Sequence, residues 1–160
     1  PRAGLSVFVA ALVLAAGTRL AGSLVRTERE ILFDLQDRLI DATAHARVDE
    51  LDLLLARDAR ARSARLSQLR GGLDRRGILA MVENALGRVY RVASTAVIER
   101  QAVIDGPNAA RTQVYLSVQP EDSAKTWAWF AIDWRLDPDG QWRAIEIEPL
   151  FISGVLPYGP

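Results

Sequence analysis

Gly87 divides the chain into two textures, and that division restricts the fold to an α+β layer arrangement. Before it, apolar residues recur at helical spacing. In TEREILFDLQDRLIDATAHA, Thr27 and Glu30 have the spacing of a capping box, and Ile31, Leu32, Leu35, Leu39 and Ala42 follow one helical face. Asp49 can cap a shorter second helix with a stripe of Leu51, Leu54 and Leu55; Asp74 caps a third carrying Ile78, Leu79, Val82 and Leu86, which Gly87 ends. After Gly87 come VYRVASTAVIERQAVI, RTQVYLSV, TWAWFAIDWRL and QWRAIEIEPLFI, rich in β-branched and aromatic residues. They are separated by DGPNA, PEDSAK and DPDG, each a turn signal. Links this short predict four strands in antiparallel meander order, after three helices.

The first 25 residues are of another kind. Ala3 to Thr18 carries no charge, and at helical rise this run covers about 24 Å against a hydrocarbon core of about 30 Å. Arg19 then lies near one membrane interface, where its long stem can snorkel to the headgroups while the helix continues to Val25. The expectation is a single-span anchor over residues 1–25, meeting the bilayer through 3–25, with Arg19 at the interface. A signal peptide also fits, with Leu5 to Ala16 as its apolar run and Ala15, Ala16 and Gly17 as a small-residue cleavage site. So does a buried soluble helix. Ala11, Ala15, Gly17, Ala21 and Gly22 would permit close packing on another membrane helix. Arg19, Arg26 and Arg29 after the run outnumber Arg2 before it, and a positive-inside count on these alone points the domain to the cytoplasm.

Composition excludes several classes. The 20 basic and 20 acidic residues cancel, so no whole-chain field draws in nucleic acid or an acidic substrate. Cysteine is absent, which removes disulfides, thiolate metal sites and cysteine nucleophiles. Arginines 57, 60, 62, 65, 70, 75 and 76 form a basic stretch, but no aromatics interleave with them and nine acids between Glu28 and Asp58 can neutralise them. The expectation is a solvated, internally paired face, with no nucleic-acid partner.

From residue 27 to about 150 the chain resembles the nuclear transport factor 2-like superfamily, the cone-shaped α+β fold shared with ketosteroid isomerases. The resemblance is carried by DRLIDATAHARVDELDLLLARDAR, by LDRRGILAMVENAL as a third helix, and by the closing DPDGQWRAIEIEP. Arg47-Val48-Asp49 stands where that family commonly has a glycine-aspartate step. The resemblance implies a curved sheet, a domain over 26–150 and an apolar tail over 151–160. Envelope members of the fold imply a soluble domain outside the cytoplasm, in the periplasm. The fold by itself fixes no activity, since it hosts enzymes, binding proteins and scaffolds.

Family enzymes use acids, histidines and tyrosines pointing into the cone, and few are available. His45 sits at a helix corner, where a capping or solvated role is the simpler reading. Tyr90 and Asp133 can in principle exchange a proton, but alternation places Asp133 on the face opposite Phe130, Ile132, Trp134 and Leu136, the better core set. That alternation turns Trp127 and Trp129 outward with Arg135 in their row, and Tyr115 outward on the preceding strand. Phe151 and Tyr158 add aromatic surface in the tail. Tyr115, Trp127, Trp129, Arg135, Phe151 and Tyr158 are therefore the candidate partner-binding residues. No catalytic set, metal site or cofactor is expected. The reading is a non-enzymatic accessory or scaffold subunit of a larger membrane complex, or a homo-oligomer; the alternative is a small-molecule-binding or isomerase-like domain using the cone cavity.

Overall fold

The computed structural model describes residues 27–62, 71–89 and 91–153. Helix α1 (Glu28–Ala44) begins as the capping box requires: the Glu30 amide donates to Thr27 Oγ1 at 3.3 Å, and the Thr27 amide to Glu30 Oε2 at 2.8 Å. Leu32, Gln36 and Leu39 form its buried stripe. A corner at Ala46, whose φ of 50° is left-handed, leads into α2 (Val48–Leu54). The chain then extends as β1 (Leu55–Ala61), and Leu73–Asp74 make the two-residue β2. Helix α3 (Arg75–Asn84) is capped by Asp74, whose Oδ1 accepts from the Gly77 amide at 2.8 Å, and a π-helical turn (Ala85–Val89) follows. Four long strands complete the chain: β3 (Val92–Gly106), β4 (Ala109–Pro120), β5 (Thr126–Leu136) and β6 (Trp142–Ile152).

The sheet has six strands in the order β2-β1-β6-β5-β4-β3. The meander from β3 to β6 is antiparallel throughout, as the turns predict. At the last of them Gly140 takes φ 78°, a left-handed turn position that favours glycine. Three expectations are corrected. The sheet gains β1 and β2, so six strands replace four; β1 lies parallel to β6 and antiparallel to β2. Leu55 accordingly belongs to a strand and not to the second helix, and part of the arginine stretch is β-structure. In β1 the alanines 56, 59 and 61 are buried while Arg57, Asp58 and Arg60 are exposed, so the small residues meet the core and the charges face water. The third helix also ends at Asn84, before the π turn, and not at Gly87.

Alternation gives each strand an inner and an outer face. Inside, Thr112, Val114 and Leu116 of β4 lie with Ile132 and Trp134 of β5 and Ala144 of β6. Against them the helices place Leu32, Leu39, Leu51, Leu54, Ile78 and Val82. Trp134 is 1 % exposed. Burying so large a ring contributes at least about 2–3 kcal/mol, which makes it the anchor of the core.

Among the described residues no helix is long and apolar enough to cross a membrane. Residues 3–25, Arg19 among them, lie outside the described residues, as do Tyr90 and Tyr158.

Candidate interaction surface

Three strands bring aromatic side chains together on the outer face. Tyr115 of β4 stands opposite Trp129 of β5, which stands opposite Phe151 of β6. The Tyr115 and Trp129 rings lie 5.4 Å apart between centroids and 31° from parallel, within the range of favourable aromatic pairs. Trp127, two residues before Trp129 on the same face, is 39 % exposed, and Phe151 is 49 % exposed. The end of β6 is pinned there by a reciprocal pair: the Trp127 amide donates to Ser153 Oγ and the Ser153 amide to the Trp127 carbonyl, each at 2.8 Å. The indole N–H of Trp129 is buried and has no acceptor among the described residues.

Arg135 does not join this cluster. It lies further along β5, reaches across to β1 and holds Asp58 in a two-pronged bond, both arms 2.9 Å, while its Nε donates to Asp137 at 2.8 Å. The bonds to Asp58 and Asp137 raise the Arg135 pKa, and the same contact lowers that of Asp58. Arg111 grips Asp133 through two bonds of 2.6 and 2.7 Å, which places Asp133 on the outer face in an ion pair. Arg62 binds Glu146 at 2.6 Å, and Arg143 binds Asp137 and Asp139. Planar guanidinium forks suit such bidentate contacts. The outer face is thus divided lengthwise, with aromatics at one end and a lattice of arginine-carboxylate pairs at the other.

The arginine stretch is paired in part, as its charge balance suggested, but over a longer range. Arg75 binds Asp52 at 2.7 Å, whereas the partner of Arg62 comes from β6. His45, read as a capping or solvated residue, is the C-cap of α1, with Nδ1 2.9 Å from the Asp41 carboxylate. Asp41 is bonded in turn to Arg47, and that guanidinium holds its carboxyl below the usual range, which makes it a weak proton acceptor. Among the described residues no group of three or more histidines and acids is placed to hold a metal ion.

A second feature escaped the sequence reading. Between α1 and β3 runs a groove of about 490 Å³, lined by Asp37, Ile40 and Asp41 from the helix and by Thr95, Val97, Ile98, Glu99 and Arg100 from the strand. Arg100 spans it, bonding Asp37 at 2.8 Å and lying 4.5 Å over the Phe33 ring. The signal was present in the i, i+4 spacing of Asp37 and Asp41 on α1, but only the sheet puts β3 beside them.

No family model matches the chain, and no curated protein matches it. Solved structures do. A nuclear transport factor 2-like protein from Cytophaga hutchinsonii superposes with TM-score 0.65 at 15 % identity, covering 78 % of this chain and 98 % of its own. The fold is nuclear transport factor 2-like. A candidate ketosteroid isomerase from Parabacteroides distasonis shares that fold (TM-score 0.63, 14 % identity, 82 % and 92 % coverage). So does the association domain of C. elegans CaMKII (TM-score 0.62, 16 % identity, 75 % and 92 % coverage). Identities this low speak for a shared nuclear transport factor 2-like fold, which hosts several kinds of function.

Proposed function

We propose that the protein is a non-enzymatic accessory or scaffold subunit of a larger membrane complex, anchored by residues 3–25 with its domain outside the cytoplasm. The reading is carried by the row Tyr115, Trp129 and Phe151 with Trp127 beside it. Large aromatics in one exposed cluster are expensive to leave in water and are the preferred anchors of protein interfaces. The close packing of Trp134, Leu32, Leu51 and Leu55, all almost wholly buried between helices and sheet, supports the same reading over the isomerase-like alternative. The association domain in C. elegans CaMKII lends the fold a precedent for assembly. The anchor rests on the uncharged run from Ala3 to Thr18.

The test is purification of the full chain from native membranes in mild detergent, beside a Trp127→Ala/Phe151→Ala variant. Co-purifying chains or a homo-oligomer, lost in the variant while the melting temperature holds, is the expected result. A monomer that retains nothing from the membrane would end the proposal.

A further inference from the structure

The strand β3 is the outermost of the sheet, and β4 is its one pairing partner among the described residues. Over the 15 residues from Val92 to Gly106, the backbone N–H and C=O groups turned away from β4 have no strand partner among the described residues. Most of the strand is exposed, including Val97, Ile98 and Val103. Such an edge is a template for another strand, and natural proteins usually cover, shorten or heavily charge it. This one is long; it carries Glu99, Arg100 and Asp105, and its register shifts at Val92/Ser94, Val97/Glu99 and Ile104/Gly106 leave the run from Glu99 to Ile104 regular.

Glu99 and Arg100 are not equivalent. Arg100 is engaged by Asp37 and Phe33, whereas Glu99 has no ion pair or hydrogen bond among the described residues. The groove beside this edge adds Asp41 and the apolar Ile40, Val97 and Ile98. A helix beside an open strand edge supplies what strand addition needs: main-chain partners along the edge, and a cleft for alternate side chains. The free carboxylate sets the charge that fits it. Antiparallel pairing with a second copy of β3 centred on Glu99 or on Arg100 would set like charges opposite one another, which disfavours those two registers.

We propose that the β3 edge beside α1 is a strand-addition site for an extended segment of a partner protein carrying an arginine or lysine opposite Glu99. In the β3–β4 register Glu99 stands opposite Tyr115, so the edge borders the aromatic surface, while Trp127 and Phe151 lie further across the sheet.

The test uses the full chain and two pools of synthetic nonapeptides, each of random valine, isoleucine and threonine around a fixed central arginine or a fixed central glutamate. Fluorescence anisotropy is expected to show saturable binding of the arginine pool and about tenfold weaker binding of the glutamate pool. Glu99→Arg, a change at an exposed side chain with no ion pair or hydrogen bond among the described residues, should reverse that preference with an unchanged far-UV circular dichroism spectrum. Methylation of alternate backbone nitrogens in the arginine pool should abolish binding, and amide exchange should slow along residues 92–100. Trp127→Ala/Phe151→Ala should leave the peptide affinity unchanged, which separates this site from the docking surface proposed above. The inference is overturned if neither pool binds, if both bind alike, if Glu99→Arg leaves the preference as it was, or if amide protection at β3 rises with protein concentration alone.

Discussion

The Trp134 indole donates to Thr112 Oγ1 at 2.9 Å, a diagonal contact between β4 and β5 with both residues in the interior. This bond lets the largest side chain of the core carry a polar N–H without water. Thr112→Val keeps the shape and removes the acceptor, leaving the N–H stranded. Loss of about 1–3 kcal/mol in chemical denaturation is expected, with the denaturant slope unchanged.

Gln36 presents the opposite case. It is wholly buried on the inner stripe of α1, and neither amide atom has a hydrogen-bond partner among the described residues. An amide buried without partners costs free energy that a thioether of similar length does not. Gln36→Met should therefore stabilise the domain by about 1–2 kcal/mol, read as a higher denaturation midpoint. No gain at all would mean that the amide finds a compensating contact in solution.

Ala46 holds a left-handed φ of 50° at the α1–α2 corner, and its carbonyl accepts from the Val48 amide at 2.9 Å. That conformation costs a non-glycine residue about 1–2 kcal/mol, of which the greater freedom of unfolded glycine returns about half. Ala46→Gly is expected to raise the melting temperature by a few degrees, and differential scanning calorimetry would detect it. This corner is where the chain departs from the family's glycine-aspartate step, and the backbone there still takes the conformation that glycine favours.

The Asp139 carboxyl is lowered from 3.8 to about 2 by its hydrogen bond from Arg143 and that from the Gln141 amide. A depressed carboxylate contributes stability that is present above its unfolded pKa and is lost as pH falls through the folded value. The β5–β6 turn should thus loosen between about pH 4 and pH 2. Carbon-13 chemical shifts of the Asp139 carboxyl, followed on acidification, should give a midpoint near 2; a midpoint near 4 would show that the Arg143 contact does not persist in water. Arg143→Gln should return that midpoint to the ordinary range.

The elements legible beforehand are those whose signals are local. Thr27 and Asp74 announce their helices by cap chemistry alone, and the three polar turns set the strands of the meander. Cross-strand pairing of Tyr115 with Trp129 follows from alternation once those turns are placed. What could not be read is decided by distant partners. LARDARA has few residues that favour strands, and it extends because β6 supplies the hydrogen bonds and a covered face for its alanines. Arg135 looked like a neighbour of the tryptophans because its acceptor, Asp58, lies on that unforeseen strand. The α1–β3 groove has the same origin, since the helix ends at Ala44 and the strand begins only at Val92, and the two meet through the folded sheet.

The parallel pairing of β1 with β6 governs when this domain can exist during its own synthesis. Leu55 aligns with Ala144 and Ala61 with Ile147, so the first long strand waits for the last one. While the ribosome is still translating the intervening residues, Ala56 and Ala59 have no surface to cover them, and the helices that pack on β1 have no sheet to rest upon. Closing a loop of that length costs more entropy than forming the successive hairpins β3 to β6. Completion of the sheet on the β1 side therefore follows the synthesis of β6, and a chain truncated before Trp142 would leave β1 with only the two-residue β2 beside it.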